Sequence, residues 1–189
     1  IAARLGLTPV SLDMDDEGIV PERLHAVHRR TPLKAVYLQP DLHNPLGISV
    51  PPARRAALAT ALDACGVTVI EDAVYSFLTD AQAPLSDHVL LIDSLSKRVA
   101  PGLAVGMIGC SAAVERQVAA AVRSGAWTPS AFAAEVGAHW VRDGTVAAIV
   151  AEKRADAVRR HELLRSVLGD FDVIGDPRSY HCWWRLPAR

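Results

Sequence analysis

Six polar residues with side chains suited to acid–base and carbonyl chemistry follow three short apolar segments of this 189-residue sequence. They are Asn44, Asp72, Tyr75, Ser94, Ser96 and Lys97. The apolar segments, 35–39, 67–70 and 89–92, have the length and composition of buried strands. Because an open α/β sheet binds ligands at the carboxyl ends of its strands, we expect the six side chains to meet in one cleft.

Lys97 says most about the chemistry of this cleft. Only three of the twenty basic residues are lysines, so we consider a specific role for each lysine. A free lysine amine titrates near ~10.4 and is a poor nucleophile at neutral pH unless it is desolvated or covalently engaged. An amine beside an acid, a phenol, an amide and two hydroxyls favours a carbonyl cofactor that is bound through the amine.

The elements that must position these residues alternate between strand and helix. Residues 4–10 and 12–14 resemble a helix end and a short strand, helices are predicted over 21–30 and 52–65, and one more strand is predicted over 104–110. This alternation predicts an α/β fold with a mostly parallel sheet flanked by helices. The second half predicts helices over 112–123, 129–142 and 146–168, then short strands over 171–174 and 180–186.

A long charged helix that leads to new strands often links two domains. We therefore expect a boundary near Gly144 that separates residues 1–143 from residues 144–189, the second part being the start of a small α+β domain. The sequence begins without methionine and stops where a strand is ending, so we expect it to be a fragment.

Composition excludes several classes of function. Half of the residues are hydrophobic, which is enough for a sizeable core. The net charge of −1 offers no electrostatic case for binding nucleic acid or an anionic membrane. The three cysteines are far apart and odd in number, which favours a reducing compartment and hence the cytoplasm. The histidines show no metal-ligand spacing, so we expect no metal site.

Three ordered motifs give the chain a family resemblance. They are Asn44-Pro45-Leu46-Gly47, Glu71-Asp72-Ala73-Val74-Tyr75, and Ser94-Leu95-Ser96-Lys97 followed by Pro101-Gly102-Leu103. Together they resemble the class I/II aminotransferases, which are pyridoxal-phosphate (PLP) enzymes of fold type I. Two further stretches, Pro52-Ala53-Arg54-Arg55 and Trp184-Arg185-Leu186-Pro187, are most similar to MocR-type regulators. Those proteins join a GntR-type winged-helix DNA-binding domain to an aminotransferase-like domain.

The resemblance implies a role for each site residue. Lys97 would form the Schiff base with PLP and then carry a proton between the substrate Cα and the cofactor. Asp72 would pair with the ring nitrogen, while Tyr75 and Asn44 would hydrogen-bond the phenolic oxygen. Ser94 would contact the phosphate, and Ser96 would complete the cofactor-binding set. Residues 1–143 would be part of the large PLP-binding domain, and 144–189 the linking helix and the start of the small domain.

The sequence departs from the family pattern where the phosphate is held. Members of the family usually carry an arginine after Pro-Gly-Leu, a bidentate phosphate partner, but this chain has Ala104 there. Arg98 is the nearest substitute, although a neighbour of Lys97 need not point the same way. Leu46 replaces the usual threonine.

Three hypotheses about function follow. The first is the effector-sensing domain of a MocR/GntR-type regulator, a homodimer that binds an amino acid or amine and reaches DNA only through a winged-helix domain absent from this chain. The second is part of a free-standing aminotransferase. The third is a PLP-free binding or dimerisation module. Each site residue also has an ordinary alternative: Lys97 as an exposed lysine, Asp72 as a strand-end cap, Asn44 as a turn residue, Tyr75 as a packing residue.

Overall fold

A four-stranded sheet forms the centre of the chain in the computed structural model, which describes residues 2–80, 82–125 and 128–187. We number the strands after two short ones, β1 (Met14–Asp15) and β2 (Gly18–Ile19), which pair antiparallel. The sheet has the order β3-β4-β5-β6, with bounds β3 Ala35–Leu38, β4 Thr68–Asp72, β5 Val89–Ser94 and β6 Gly106–Gly109. β3, β4 and β5 run parallel, and β6 runs antiparallel to β5.

Two helices, α1 (Pro21–Arg30) and α2 (Pro52–Cys65), cover one face of this sheet. Both begin with proline, whose fixed φ suits the first turn, and α2 ends at Gly66, which adopts the left-handed φ of 60°. Leu24, Leu58 and Leu62 of the helices pack with the apolar side chains of β3 and β4 in one core cluster. Fully burying a leucine contributes about 1.5–3 kcal/mol, so this layer anchors the site-bearing strands.

The pleat of β4 sends its last two residues to opposite faces of the sheet. Glu71 is buried on the helix side with Val69, whereas Asp72 shares the opposite, open face with Ile70. On β3, Tyr37 also lies on the open face and is 60% exposed. Asp72 is opposite Ile92 of β5 in the parallel register. The open face therefore presents the polar residues at the carboxyl ends of the strands.

The second half of the chain is mainly helical. It contains α3 (Leu95–Arg98), α4 (Glu115–Gly125), α5 (Ala131–Arg142) and α6 (Thr145–Leu168), followed by the antiparallel pair β7 (Val173–Ile174) and β8 (Trp183–Trp184). Three short 3-10 helices lie at Ala2–Leu5, Ser76–Leu78 and Pro101–Leu103. α6 packs on the turn after β4, where Ala157 joins Leu42, Phe77 and Leu78 in a second core cluster.

α5 approaches α3 closely at a glycine. A Cβ built on Gly137 would lie 2.5 Å from Leu95 Cδ1, so a larger residue there would require the Leu95 side chain to shift. Leu95 is buried at the start of the turn that carries Lys97. The packing of α5 therefore supports the position of that turn.

The predicted fold class is confirmed: a mostly parallel sheet is flanked by helices. The predicted bounds of α1 and α2 agree with the structure, but β4 and β5 extend two residues further, so that Asp72 and Ser94 end their strands. The segment near residue 4 is a 3-10 helix rather than an α-helix end. α6 begins directly after Gly144, which has a φ of 87°, and the division into two domains there stays a prediction. In the described ranges, no helix combines the length and apolarity that a membrane crossing requires.

Candidate functional site

Asp72 ends β4 with both carboxylate oxygens bonded to donors. Oδ2 accepts a 2.5 Å hydrogen bond from the Tyr37 hydroxyl, and Oδ1 accepts a 3.1 Å hydrogen bond from the Val74 N–H. The second bond closes a local turn after the strand. Two donors from two different elements hold this carboxylate in one orientation at the edge of the sheet.

Tyr37 is a site residue that the motif analysis did not identify. Burial, followed by the hydrogen bond to Asp72 and its negative charge, raises the pKa of Tyr37 to about 12. The phenol therefore stays protonated at neutral pH and donates to the carboxylate. No motif marks Tyr37. The parallel register pairs it with Ile70, two residues before Asp72, and residues two apart on a strand share a face.

Lys97 lies on α3, a four-residue helix that Ser94 begins. Ser94 Oγ accepts from the Ser96 N–H at 3.1 Å and donates to the Val105 carbonyl at 3.1 Å. In this structure the Ser94 hydroxyl therefore builds the turn, and the phosphate contact expected of it stays a prediction. Lys97 itself is exposed, with Nζ 5.8 Å from the centroid of the Tyr75 ring, within the range of a cation–π contact.

Tyr75 connects the lysine to a segment near the carboxyl end of the chain. The ring of His181 lies 5.0 Å from the Tyr75 ring, centroid to centroid. Its Nε2 donates to the carbonyl of His43 at 3.1 Å. Burial and the neighbouring charge of His181 lower the pKa of His43. His181 is a second residue that the motif analysis missed, and it packs against both Tyr75 and the loop that precedes Asn44.

Asn44 lies in that loop and is exposed. Its backbone N–H donates to Gln39 Oε1 at 2.7 Å, while its side-chain amide makes no hydrogen bond to the residues that the structure describes. Gly47 closes the loop at a φ of 66°, where a Cβ would lie 2.8 Å from the His181 carbonyl oxygen. The loop is thus fixed by close packing, and the amide is available to a ligand.

Arg98 does not replace the missing phosphate-binding arginine in this structure. The guanidinium of Arg98 donates from Nε at 2.8 Å and from Nη2 at 2.5 Å to Asp93 Oδ2, and it lies 5.4 Å from the centre of the Phe77 ring. Arg98 is therefore occupied by an ion pair. Ala104 is exposed and has a left-handed φ of 44° at the end of the 3-10 turn.

A cavity of about 840 Å³ opens beside the site rather than in it. It lies between the sheet and the segment before β1, and Tyr37 and His43 border it. Asp72, Tyr75 and Lys97 are not among the described residues that line it. The chemistry-bearing side chains instead meet along the open edge of the sheet.

The structure thus brings Asp72, Tyr75 and Lys97 to one edge, with Asn44 on the adjoining loop. An amine, an oriented carboxylate, a phenol and an uncommitted amide fit an aldehyde-bearing, nitrogen-containing ring with a phenolic oxygen. Among the described residues, no group of three or more His, Cys, Asp or Glu side chains has the arrangement of a metal site.

A lysine on the turn after one parallel strand and an acid at the end of its neighbour define the class of fold type I, PLP-dependent proteins. The chain belongs to the family described as aminotransferase class I and II, whose sequence profile matches residues 22–189. The resemblance stated from the motifs is confirmed.

Three relatives illustrate the match. An uncharacterised HTH-type transcriptional regulator of Bacillus subtilis, YdfD, is 30% identical over 172 residues, which are 86% of this chain and 36% of YdfD. Kynurenine aminotransferase of Pyrococcus horikoshii superposes with a TM-score of 0.72 at 24% identity, covering 86% of this chain and 43% of that one. A PLP-dependent aminotransferase from Streptococcus suis gives 0.77 at 17% identity, covering 93% and 48%.

The chain spans less than half the length of each of these relatives. The curated relatives include further HTH-type regulators and fungal aminotransferases named swnA. The Pyrococcus enzyme is described in complex with PMP. The family match and these neighbours support PLP as the cofactor.

Proposed function

We propose that this chain is the PLP-binding part of an effector-sensing domain in a MocR/GntR-type transcriptional regulator, with Lys97 as the residue that bonds the cofactor. The observation that carries the proposal is that Lys97 Nζ lies 5.8 Å from the centroid of the Tyr75 ring. Tyr75 follows β4, the strand whose last residue is Asp72. Lys97 and Tyr75 lie on the turns after two neighbouring strands, so no single local turn explains their approach.

When bound, PLP supplies an aldehyde that condenses with amines and a ring that accepts the electron pair released at the Cα of an amino acid. Lys97 would provide the amine that holds the aldehyde, and its Nζ, once displaced by the ligand, would take and return the Cα proton. Asp72, oriented by Tyr37 and the Val74 N–H, would hold the proton on the ring nitrogen.

The remaining residues would orient the ring and its phosphate. Tyr75 and the free amide of Asn44 would donate to the phenolic oxygen, since both side chains lie on the turns that follow β4 and β3. Ser96 and, after a rotation of its hydroxyl, Ser94 would contact the phosphate from α3. These assignments all place the cofactor along the open edge of the sheet.

A regulator is favoured over a free enzyme by the curated relatives. Two HTH-type regulators match over 86% and 100% of this chain. The near-neutral charge of the chain fits a domain that binds a small amine or amino acid and leaves DNA to a separate winged-helix domain. We propose that the whole protein works as a homodimer in the cytoplasm.

Borohydride trapping in the full-length protein tests the assignment of Lys97. Reduction in the presence of PLP should fix a pyridoxyl group on the peptide that contains Ser96-Lys97-Arg98. Peptide mass spectrometry locates the adduct among the three lysines of this chain. An adduct on Lys34 or Lys153 instead, or none on this chain, would contradict the proposal.

A free-standing aminotransferase is the second candidate, and the fungal swnA relatives favour it. The two candidates differ in turnover. A free enzyme converts an amino acid and a keto acid over many cycles, whereas a sensor binds its effector and changes DNA affinity. Sustained keto-acid production without any effect of amino acids on DNA binding would select the enzyme.

A PLP-free binding module is the third candidate, and Ala104 together with the Arg98–Asp93 ion pair favours it. Such a module would not capture the cofactor. If the full-length protein shows no visible absorbance change with PLP, before or after borohydride, this candidate replaces the first.

A further inference from the structure

α6 places two consecutive basic residues on the two turns that carry the site. Lys153 Nζ donates to the backbone carbonyl of Lys97 at 2.9 Å. Arg154 donates from Nε to the Phe77 carbonyl at 2.6 Å and from Nη2 to the Thr79 carbonyl at 2.5 Å. One contact is on the turn of Lys97 and the other follows Tyr75, so a single helix holds both turns.

The contact at Lys97 satisfies a carbonyl that α3 leaves open. The last carbonyls of a helix have no partner within it, and α3 has only four residues. A cation at the C-terminal end of a helix is also favoured by the partial negative charge there. The Ser94 cap and the Arg98–Asp93 ion pair also hold this turn, and Lys153 adds a donor to the carbonyl of Lys97 itself.

Lys153 has no competing ionic role in the part of the chain that the structure describes. Its side chain is half-buried, and burial lowers its pKa. None of the ion pairs among the described residues includes it. The hydrogen bond to the Lys97 carbonyl therefore offsets part of the cost of desolvating this ammonium.

The same residue is tied to the segment before β8. The hydroxyl of Tyr180 donates to the Lys153 carbonyl at 2.8 Å, and the next residue, His181, packs on the Tyr75 ring at 5.0 Å. The pair Tyr180-His181 thus contacts both the helix that holds the lysine turn and the aromatic ring beside the lysine.

We infer that Lys153 is a positioning residue for Lys97: its ammonium fixes the Lys97 carbonyl, keeps the amine over Tyr75, and links this geometry through Tyr180 to the carboxyl-terminal segment. The inference rests on the proposed function of Lys97 as the cofactor-binding amine. It adds a path by which movement of the carboxyl-terminal segment would change the reactivity of the site.

The test compares Lys153→Met, Lys153→Arg and the control Lys34→Met in the full-length protein. Lys34 is an exposed lysine on the loop before β3, so its replacement removes the same charge away from the turn. The readouts are the melting temperature of the cofactor-free protein, the rate of PLP capture by absorbance, and the visible circular dichroism of the bound cofactor, which reports its orientation.

Lys153→Met should slow PLP capture by about tenfold, the effect of losing one charged hydrogen bond, and should weaken the circular dichroism band. Lys153→Arg should restore both, because its guanidinium also donates to a carbonyl. Lys34→Met should match the wild type. A purely structural role would lower the melting temperature and leave the dichroism of the bound cofactor unchanged.

The outcomes separate the two proposals. If the wild type forms no adduct at Lys97, the proposed function fails before Lys153 is tested. If the wild type forms the adduct and Lys153→Met captures PLP at the wild-type rate with the same dichroism, the positioning role is wrong. If Lys153→Met does not fold, Lys153→Ala, which also lacks a donor, decides by the same two criteria.

Discussion

Replacing Arg55 by methionine should destabilise the domain by about 3–5 kcal/mol at neutral pH, because it leaves buried carboxylates without their cation. Arg55 lies on α2 and is buried, with Nη1 3.3 Å from Asp41 Oδ1 and Nη2 3.5 Å from Glu71 Oε1. Nη2 also donates to the Ala83 carbonyl at 2.9 Å. Both carboxylates are themselves buried, so water cannot replace the lost partner.

The pH dependence of this loss gives a second check. Burial raises the pKa of Asp41 and of Glu71, and the charge of Arg55 partly offsets the rise. A carboxyl group whose folded pKa exceeds its unfolded pKa lowers stability as pH rises through that window. Removing Arg55 raises both folded pKa values further. The penalty should therefore be largest at neutral pH and above, and it should shrink as pH falls through the raised folded pKa values. Below about 4, where both carboxyls are protonated in the folded and unfolded states, the charge penalty should be lost.

Urea unfolding of the full-length protein, followed by circular dichroism at several pH values, measures this penalty. The matched control is Arg54→Met, the adjacent arginine of α2, whose partners Asp15 and Glu17 are exposed to solvent. Its loss should be much smaller, since exposed ion pairs contribute little. Equal effects of the two substitutions, or an Arg55→Met penalty that does not change with pH, would refute the charge argument.

Further predictions concern three residues of the site. Asp72→Asn should keep the fold but weaken PLP binding by ~1.5–3 kcal/mol, the value of a charged hydrogen bond, in a PLP titration; wild-type affinity would mean that Asp72 is structural. Tyr37→Phe should abolish the loss of stability between pH 10 and about 12 that its raised pKa produces in the wild type, and unfolding at alkaline pH measures this; persistence of that loss would assign it elsewhere. Ala104→Gly should raise the free energy of unfolding by up to ~1 kcal/mol, because glycine tolerates the left-handed φ. Ala104→Arg should instead tighten PLP binding in the same titration. An unchanged affinity in a folded Ala104→Arg protein would mean that another residue binds the phosphate.

Local signals in the sequence were sufficient for much of the fold. α2 was predicted with its observed bounds because Pro52 marks its first turn and Gly66 its end. β4 was predicted too short because its last residues are polar. Their strand conformation comes from pairing with both neighbours, Leu38 opposite Glu71 and Asp72 opposite Ile92, which local propensity does not show.

The candidate site divides in the same way. Asn44, Asp72, Tyr75 and Lys97 follow predicted strands and lie in short motifs that resemble those of a known family, so the sequence was sufficient to select them. The residues that hold them are distant in sequence: Tyr37 is 35 residues from Asp72, Lys153 is 56 from Lys97, and His181 is 138 from His43. Such supporting contacts depend on packing between elements, and no motif records them.

Glu71 and Asp72 lie on opposite faces of the sheet at the end of β4, so the face that each acid occupies depends on the number of residues in the strand. Glu71 points to the buried Arg55 and Asp72 to the open edge with Tyr37. Inserting or deleting one residue within β4 would exchange the faces of the two acids, turning the shorter side chain toward Arg55 and the longer one toward the open edge beside Tyr37. A change of two residues would preserve the assignment. Among sequence variants of this domain, length changes in β4 should therefore occur in even steps.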